Sequence, residues 1–175
     1  VTVIENNNNN NNPAQTKPLA KPTLTNTTTT MGITTVNTAD ITSSSVTLKW
    51  SPVTTDIDGV VLVNATVTYD IQYVEVVGQQ PDFSSATTIS SAGTLSSDVY
   101  SHPISGLNPN KAYAFKISAT TTNTAYQTST SDVVMASTTA AAPPADTTAP
   151  VITGPNGDAG ATTSSKSVVQ GVTNV

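Results

Sequence analysis

Leu107-Asn108-Pro109-Asn110-Lys111-Ala112-Tyr113-Ala114-Phe115-Lys116-Ile117-Ser118-Ala119 is the stretch that decides the fold class. Gly106 to Asn110, with Pro109 inside it, reads as a turn, because glycine, proline and asparagine supply backbone conformations that regular structure rejects. Beyond it Tyr113, Phe115, Ile117 and Ala119 alternate with Ala114, Lys116 and Ser118, the period of two of a strand with one buried face.

The same period appears twice upstream. Val46, Leu48 and Trp50 alternate with Ser45, Thr47 and Lys49, and Val67, Tyr69, Ile71 and Tyr73 alternate with Thr68, Asp70 and Gln72. Trp50 is the largest candidate anchor of a core. Turn signals at Ser43-Ser44-Ser45, Asp58-Gly59, Val77-Gly78 and Ala92-Gly93 separate these runs. Weaker strands are expected around 33–36, 86–89, 99–104 and 133–138. Seven short strands with such spacing predict an all-β protein of two packed antiparallel sheets.

Composition agrees. Charged residues make up 10% of the chain and aromatics 5%, while threonine, serine, alanine, valine and asparagine dominate, so the surface is expected to be largely hydroxyl and amide. β-Branched residues are restricted in helices and favour extended backbone. A net charge of -5 with six basic residues gives no cationic face for phosphates, which argues against nucleic acid and anionic membrane as partners. No run approaches the roughly 20 apolar residues of a membrane span, so no membrane insertion is expected in this segment. Cysteine is absent, which excludes disulfides and thiolate metal sites.

The series Ile41, Val46-Thr47-Leu48-Lys49-Trp50, Tyr69-Asp70-Ile71-Gln72-Tyr73, Ile104-Ser105-Gly106-Leu107-Asn108-Pro109 and Tyr113 to Ala119 resembles a fibronectin type III domain. The resemblance covers about 105 residues and implies a seven-stranded antiparallel Ig-like β-sandwich. It implies structural roles for Trp50, Tyr69, Leu107 and Tyr113, with the Tyr113 hydroxyl bonded to backbone upstream as a tyrosine corner. Asp56 to Thr66 and Gln79 to Thr94 are longer than the usual connections of that family, insertions that carry either function or variation alone.

The flanks divide the chain further. Val1-Thr2-Val3-Ile4-Glu5 alternates like a last strand of a preceding domain, and 6–30, with seven consecutive asparagines and Pro13, Pro18 and Pro22, is expected to be a linker. The folded unit is then 31–139. Ala140 to Pro150 reads as an Ala/Pro linker, extended or disordered like the first. Residues 151–175 resemble the start of a truncated bacterial Ig-like surface repeat.

Candidate chemistry is sparse. Ser101 and His102 stand side by side, yet neighbours on a strand point to opposite faces, so a nucleophile and its base are not assembled. Asp56, Asp58 and Asp70, or Asp146 with Asp158 at the domain junction, offer oxygen ligands for Ca2+ without the acidic density of a dedicated calcium loop. No cofactor is implied. Asn26-Thr27-Thr28 and Asn64-Ala65-Thr66 match the N-glycosylation sequon. Of the aromatics, only Tyr100, Tyr126 and Phe83 are left over from the expected core as platforms for carbohydrate.

These features point to a non-catalytic structural or adhesive module of a large extracellular or cell-surface protein. Its expected partners are neighbouring domains of the same chain, and beyond them a protein or carbohydrate ligand or other copies of itself. The alternatives are an accessory linker module of a secreted polysaccharide-degrading enzyme, and a filament subunit assembling by strand addition.

Overall fold

Alternation becomes burial wherever two strands pair, since one-residue steps send side chains to opposite faces of a sheet. A computed structural model of the chain describes residues 16–147. In chain order its strands are β1 (Lys17–Pro18), β2 (Thr27–Thr30), β3 (Ile33–Val36), β4 (Ser45–Trp50), β5 (Val67–Glu75), β6 (Thr87–Ile89), β7 (Thr94–Ser96), β8 (Val99–Ser105), β9 (Ala112–Thr121), β10 (Tyr126–Gln127), β11 (Ser129–Thr130) and β12 (Val134–Ser137). All seven expected strands are among them. The five others are short pieces at edges and loops.

The larger sheet runs β2-β3-β12-β9-β5-β6, with β11 also on β9, and the smaller runs β4-β8-β7. In the larger, β5 and β9 pair antiparallel from Val67 opposite Thr121 to Glu75 opposite Tyr113. In the smaller, β4 and β8 pair from Ser45 opposite Ser105 to Trp50 opposite Tyr100. The β4 burial pattern alternates without a break, and Val46, Leu48 and Trp50 all face inward. They meet Tyr69 and Ile71 of β5, Phe115, Ile117 and Ala119 of β9, and Ile104 of β8, in one core. Ala114 faces the other way yet is fully buried. Its cross-strand neighbours are Val74 and Met135, whose side chains share its face.

An aromatic cluster closes one end of the core. The Trp50 ring stacks on Tyr100 at 5.6 Å and meets Tyr69 edge-on at 5.5 Å. Gly93 lies against it with a φ of +95°, and a Cβ there would sit 2.7 Å from the Trp50 ring. A side chain is therefore excluded at this position both by space and by backbone.

The expectation of a linker as far as residue 30 is corrected by the structure. Leu19 is fully buried in the core. Its segment lies between two loops: Lys17 N–H donates to Ala125 and Leu19 N–H to Gln127 on one side, while Ile57 N–H donates to Pro18 and Ala20 N–H to Thr55 on the other. Further on, Thr25 N–H donates to the Lys49 carbonyl and Ser51 N–H to Thr23, which seats this stretch against β4. A polar, proline-bearing segment folds here because its attachment is made by main-chain hydrogen bonds, which composition does not report. Neither Pro18 nor Pro22 occupies a position where an N–H takes part in these bonds.

The chain then turns back as a hairpin, β2 on β3, through Met31 and Gly32, whose φ values of +50° and +79° are those of a tight two-residue turn. Met31 at its tip is 99% exposed. At the far end Thr139 N–H donates to Thr42. The chain divides into two units between Ala142 and Pro143; of the second, 143–147 are described, in neither helix nor strand. The expected strand at 1–5, the linker at 6–15 and the repeat at 151–175 lie outside the described residues.

Candidate interaction surface

The long connection from β4 to β5 is a built element and not slack chain. Thr55 and Val61 form an antiparallel bridge, Leu62 N–H donates to Thr54, and Asp56 N–H donates to Val60. Asp56 is buried, and its Oδ1 accepts from Asp58 N–H at 3.0 Å and Val60 N–H at 2.9 Å. An aspartate bonded in this way to the backbone just after it fixes a turn. Asp58 pairs with Lys17 at 2.7 Å, and that hydrogen bond holds the lysine's ammonium above its ordinary value.

The loop folds its apolar residues in two directions. Val53 is buried, and its N–H donates to the Tyr69 hydroxyl at 2.7 Å. Burial pushes that phenol up, against the opposing pull of the Val53 hydrogen bond. Ile57, Val60, Val61 and Val63, by contrast, stand 57–68% exposed. Tyr126 supports the loop by accepting from Val63 N–H at 3.2 Å, and Asn123 Nδ2 donates to the Val63 carbonyl at 3.1 Å. Beneath it a cleft of about 350 Å³ opens between Pro52, Val61, Leu62, Val67, Tyr69 and Tyr100. One end of the sandwich thus presents aliphatic side chains beside the segment through which residues 16–20 join it.

The residues singled out by sequence fall into distinct roles. Trp50, Tyr69, Leu107 and Tyr113 are buried. The Tyr113 hydroxyl accepts from Asn108 N–H at 2.9 Å, which closes the turn before its own strand. Beside this turn Glu75 takes hydrogen bonds from Lys111 and Asn108 that hold its carboxyl below the ordinary value. His102 Nδ1 accepts from Gly93 N–H at 3.3 Å, a structural contact.

None of the aspartates at 56, 58 and 70 joins a metal-type cluster. Asp56 and Asp58 are engaged with backbone and Lys17, and Asp70 accepts from Ser91 N–H at 2.9 Å. Among the described residues no group of three or more His, Asp or Glu is placed to hold a metal ion. Asp146 lies in the short described stretch of the second unit and Asp158 outside the described residues. The three leftover aromatics are also engaged: Tyr100 stacks on Trp50, Tyr126 braces the loop, and the Phe83 ring carries Lys116 Nζ at 4.4 Å.

Two sequons that look alike in sequence separate completely. Asn26 is 6% exposed, its Nδ2 donates to Asp40 at 3.0 Å and to the Thr47 carbonyl at 2.8 Å, and its Oδ1 accepts from Lys49 N–H at 3.0 Å. This corrects its reading as a glycosylation site: the side chain is a pin that fastens the N-terminal segment to β4. Asp40 completes the pin with a 2.7 Å ion pair to Lys49. Burial works to raise the Asp40 carboxyl, but the hydrogen bonds from Lys49 and Asn26 prevail and hold it below its ordinary value. Asn64 is exposed on the loop with a φ of +51°. Sequence reasoning missed Leu19, the role of Asn26 and the packing of Gly93; Leu19 alone carried a signal, as one of two large aliphatics between Asn6 and Thr30.

A family model described as the fibronectin type III domain matches residues 32–134. Among solved structures, astrotactin-2, described as a conserved vertebrate-specific and perforin-like membrane protein involved in neuronal development, is 20% identical with a TM-score of 0.49. That match covers 71% of this chain and 22% of the other. The fourth FNIII domain of a human protein is 19% identical with a TM-score of 0.45, over 83% of this chain and 95% of the other. The fn3 domain of human contactin 1 is 23% identical with a TM-score of 0.45, over 83% and 92%. No curated protein matches. Matched by the family model over more than half its length, with the two-sheet sandwich and the Tyr113 corner in place, the chain belongs to the fibronectin type III domain family.

Proposed function

We propose that this domain is a non-catalytic spacer or adhesive module of an extracellular multidomain protein, and that it acts by setting the distance and orientation of its neighbours. Fibronectin type III domains are in general non-catalytic modules. The observation that carries the reading is the end of the sandwich at 16–20 and 53–64. Chain attachment, ion pair and exposed aliphatics coincide there. The engagement of Ser101, His102 and the aspartates by strand geometry and backbone supports a module without chemistry of its own.

Protease applied to intact cells of the source organism tests the location. Release of a resistant fragment covering 16–142 is expected. Protection of that region until the cells are lysed counts against an extracellular module. A filament subunit draws on a different observation: β2, all threonine, is an edge of the larger sheet among the described residues, and unpaired edges accept strands. Sedimentation across a range of concentrations separates the two, since only the subunit grows with concentration.

A further inference from the structure

An exposed aliphatic cluster on a domain surface ordinarily marks something that covers it. Ile57, Val60, Val61 and Val63 stand exposed within one loop, four of the exposed large hydrophobics among the described residues; Met31, Ile33, Val77, Leu95 and Val133 lie outside it. The residue that follows is Asn64, in the sequence Asn64-Ala65-Thr66. Its backbone takes the left-handed turn conformation, its side chain is exposed, and nothing among the described residues bonds its carboxamide; only its carbonyl is engaged, by Asn123 at 3.4 Å. The one other sequon ends in a buried amide with both its nitrogen and its oxygen committed.

We propose that Asn64 is an N-glycosylation site, and that its glycan lies over Val60, Val61 and Val63. In the transfer, Nδ2 of Asn64 bonds to the anomeric carbon of an oligosaccharide as that carbon's bond to a lipid-linked phosphate breaks. The lipid phosphate leaves, and one amide proton passes to the base of the transferase. Sugar rings turn apolar C–H faces toward aliphatic side chains and hydroxyls toward water, so a glycan placed here makes the loop wettable without burying a polar group. Asn26 cannot serve: a sugar on its Nδ2 would displace a hydrogen bond inside a site that is 6% exposed, so modification there and folding exclude each other.

The inference rests on the extracellular reading, because only chains that leave the cytoplasm meet this chemistry. The test removes that dependence by secreting the full chain, behind a supplied leader sequence, from a host that carries out N-glycosylation. Intact mass and peptide mapping are expected to show one glycan, at Asn64, lost in both Asn64→Gln and Thr66→Ala. A hydrophobic dye is expected to bind the folded Asn64→Gln protein and to lose that binding on the glycosylated one. An unmodified Asn64 in the secreted folded protein, a glycan on Asn26 in folded protein, or equal dye binding with and without the glycan would each overturn the proposal. Protease treatment of source cells addresses location separately, so the two failures are distinguishable.

Discussion

Replacing Asn26 by alanine removes two hydrogen bonds to the backbone of β4 and one to the Asp40 carboxylate. Neutral hydrogen bonds contribute about 1 kcal/mol each and those to a charged group about 2, so the substitution should cost about 4 kcal/mol. Because Asn26 is 6% exposed, water cannot readily replace the lost partner of Lys49 N–H or the Thr47 carbonyl. Domain stabilities of about 5–15 kcal/mol make this a large fraction of the total. Equilibrium unfolding in urea is the assay. With a slope of about 2 kcal/mol per molar, the midpoint should fall by about 2 M with the slope unchanged. A fall of less than about 0.5 M would refute the reasoning, since the Asn26 side chain would then fasten nothing to β4.

Gly93→Ala places a methyl 2.7 Å from the Trp50 ring at a φ of +95°, and overpacking together with backbone strain should cost roughly 2–4 kcal/mol, read as a drop in Tm. An unchanged Tm would mean that the loop before β7 moves freely away from the tryptophan. Tyr113→Phe leaves Asn108 N–H without its acceptor and should cost about 1 kcal/mol, against roughly 2–5 for Leu48→Ala in the core; urea midpoints rank the two. The depressed Asp40 carboxyl binds fewer protons folded than unfolded. Its contribution is therefore complete above the ordinary carboxylate value of about 3.9 and lost as pH falls through the lower folded value. Glu75 and Asp82 shift the same way, so the quantity to measure is the difference between the protein and Asp40→Asn, which should shrink below about pH 4. A difference that stays constant as the pH falls well below that value removes Asp40 from the account.

What could be read from the sequence follows from how each feature is encoded. Trp50, Tyr69 and Phe115 lie in runs whose alternation is the sheet period itself, so strands and core were visible at once. Leu107 to Tyr113 carried the corner because a turn and its hydroxyl acceptor lie within a few residues. The segment 17–30 was not visible, since its attachment uses main-chain groups that nearly every residue possesses. Asn26 and Asn64 share a motif and differ only in what surrounds them, a difference that arises between residues distant in sequence, such as Asn26 and Lys49. The aspartates at 56, 58 and 70 were likewise legible as acids but not as the turn, ion-pair and loop acceptors they are.

Strand polarity bears on how the domain meets force. Most neighbours in this sandwich are antiparallel, but β1 runs parallel to β10 and β3 parallel to β12, and each of these pairs joins an early strand to a late one. When the two ends of the chain are drawn apart, an early strand and a late strand lying parallel are pulled in opposite directions along their common axis. Their hydrogen bonds are then loaded together in shear, where an antiparallel hairpin pulled from its open end would lose its bonds singly and in sequence. The N-terminal segment, by adding β1 ahead of the region matched by the family model, gives the domain a second such shear contact.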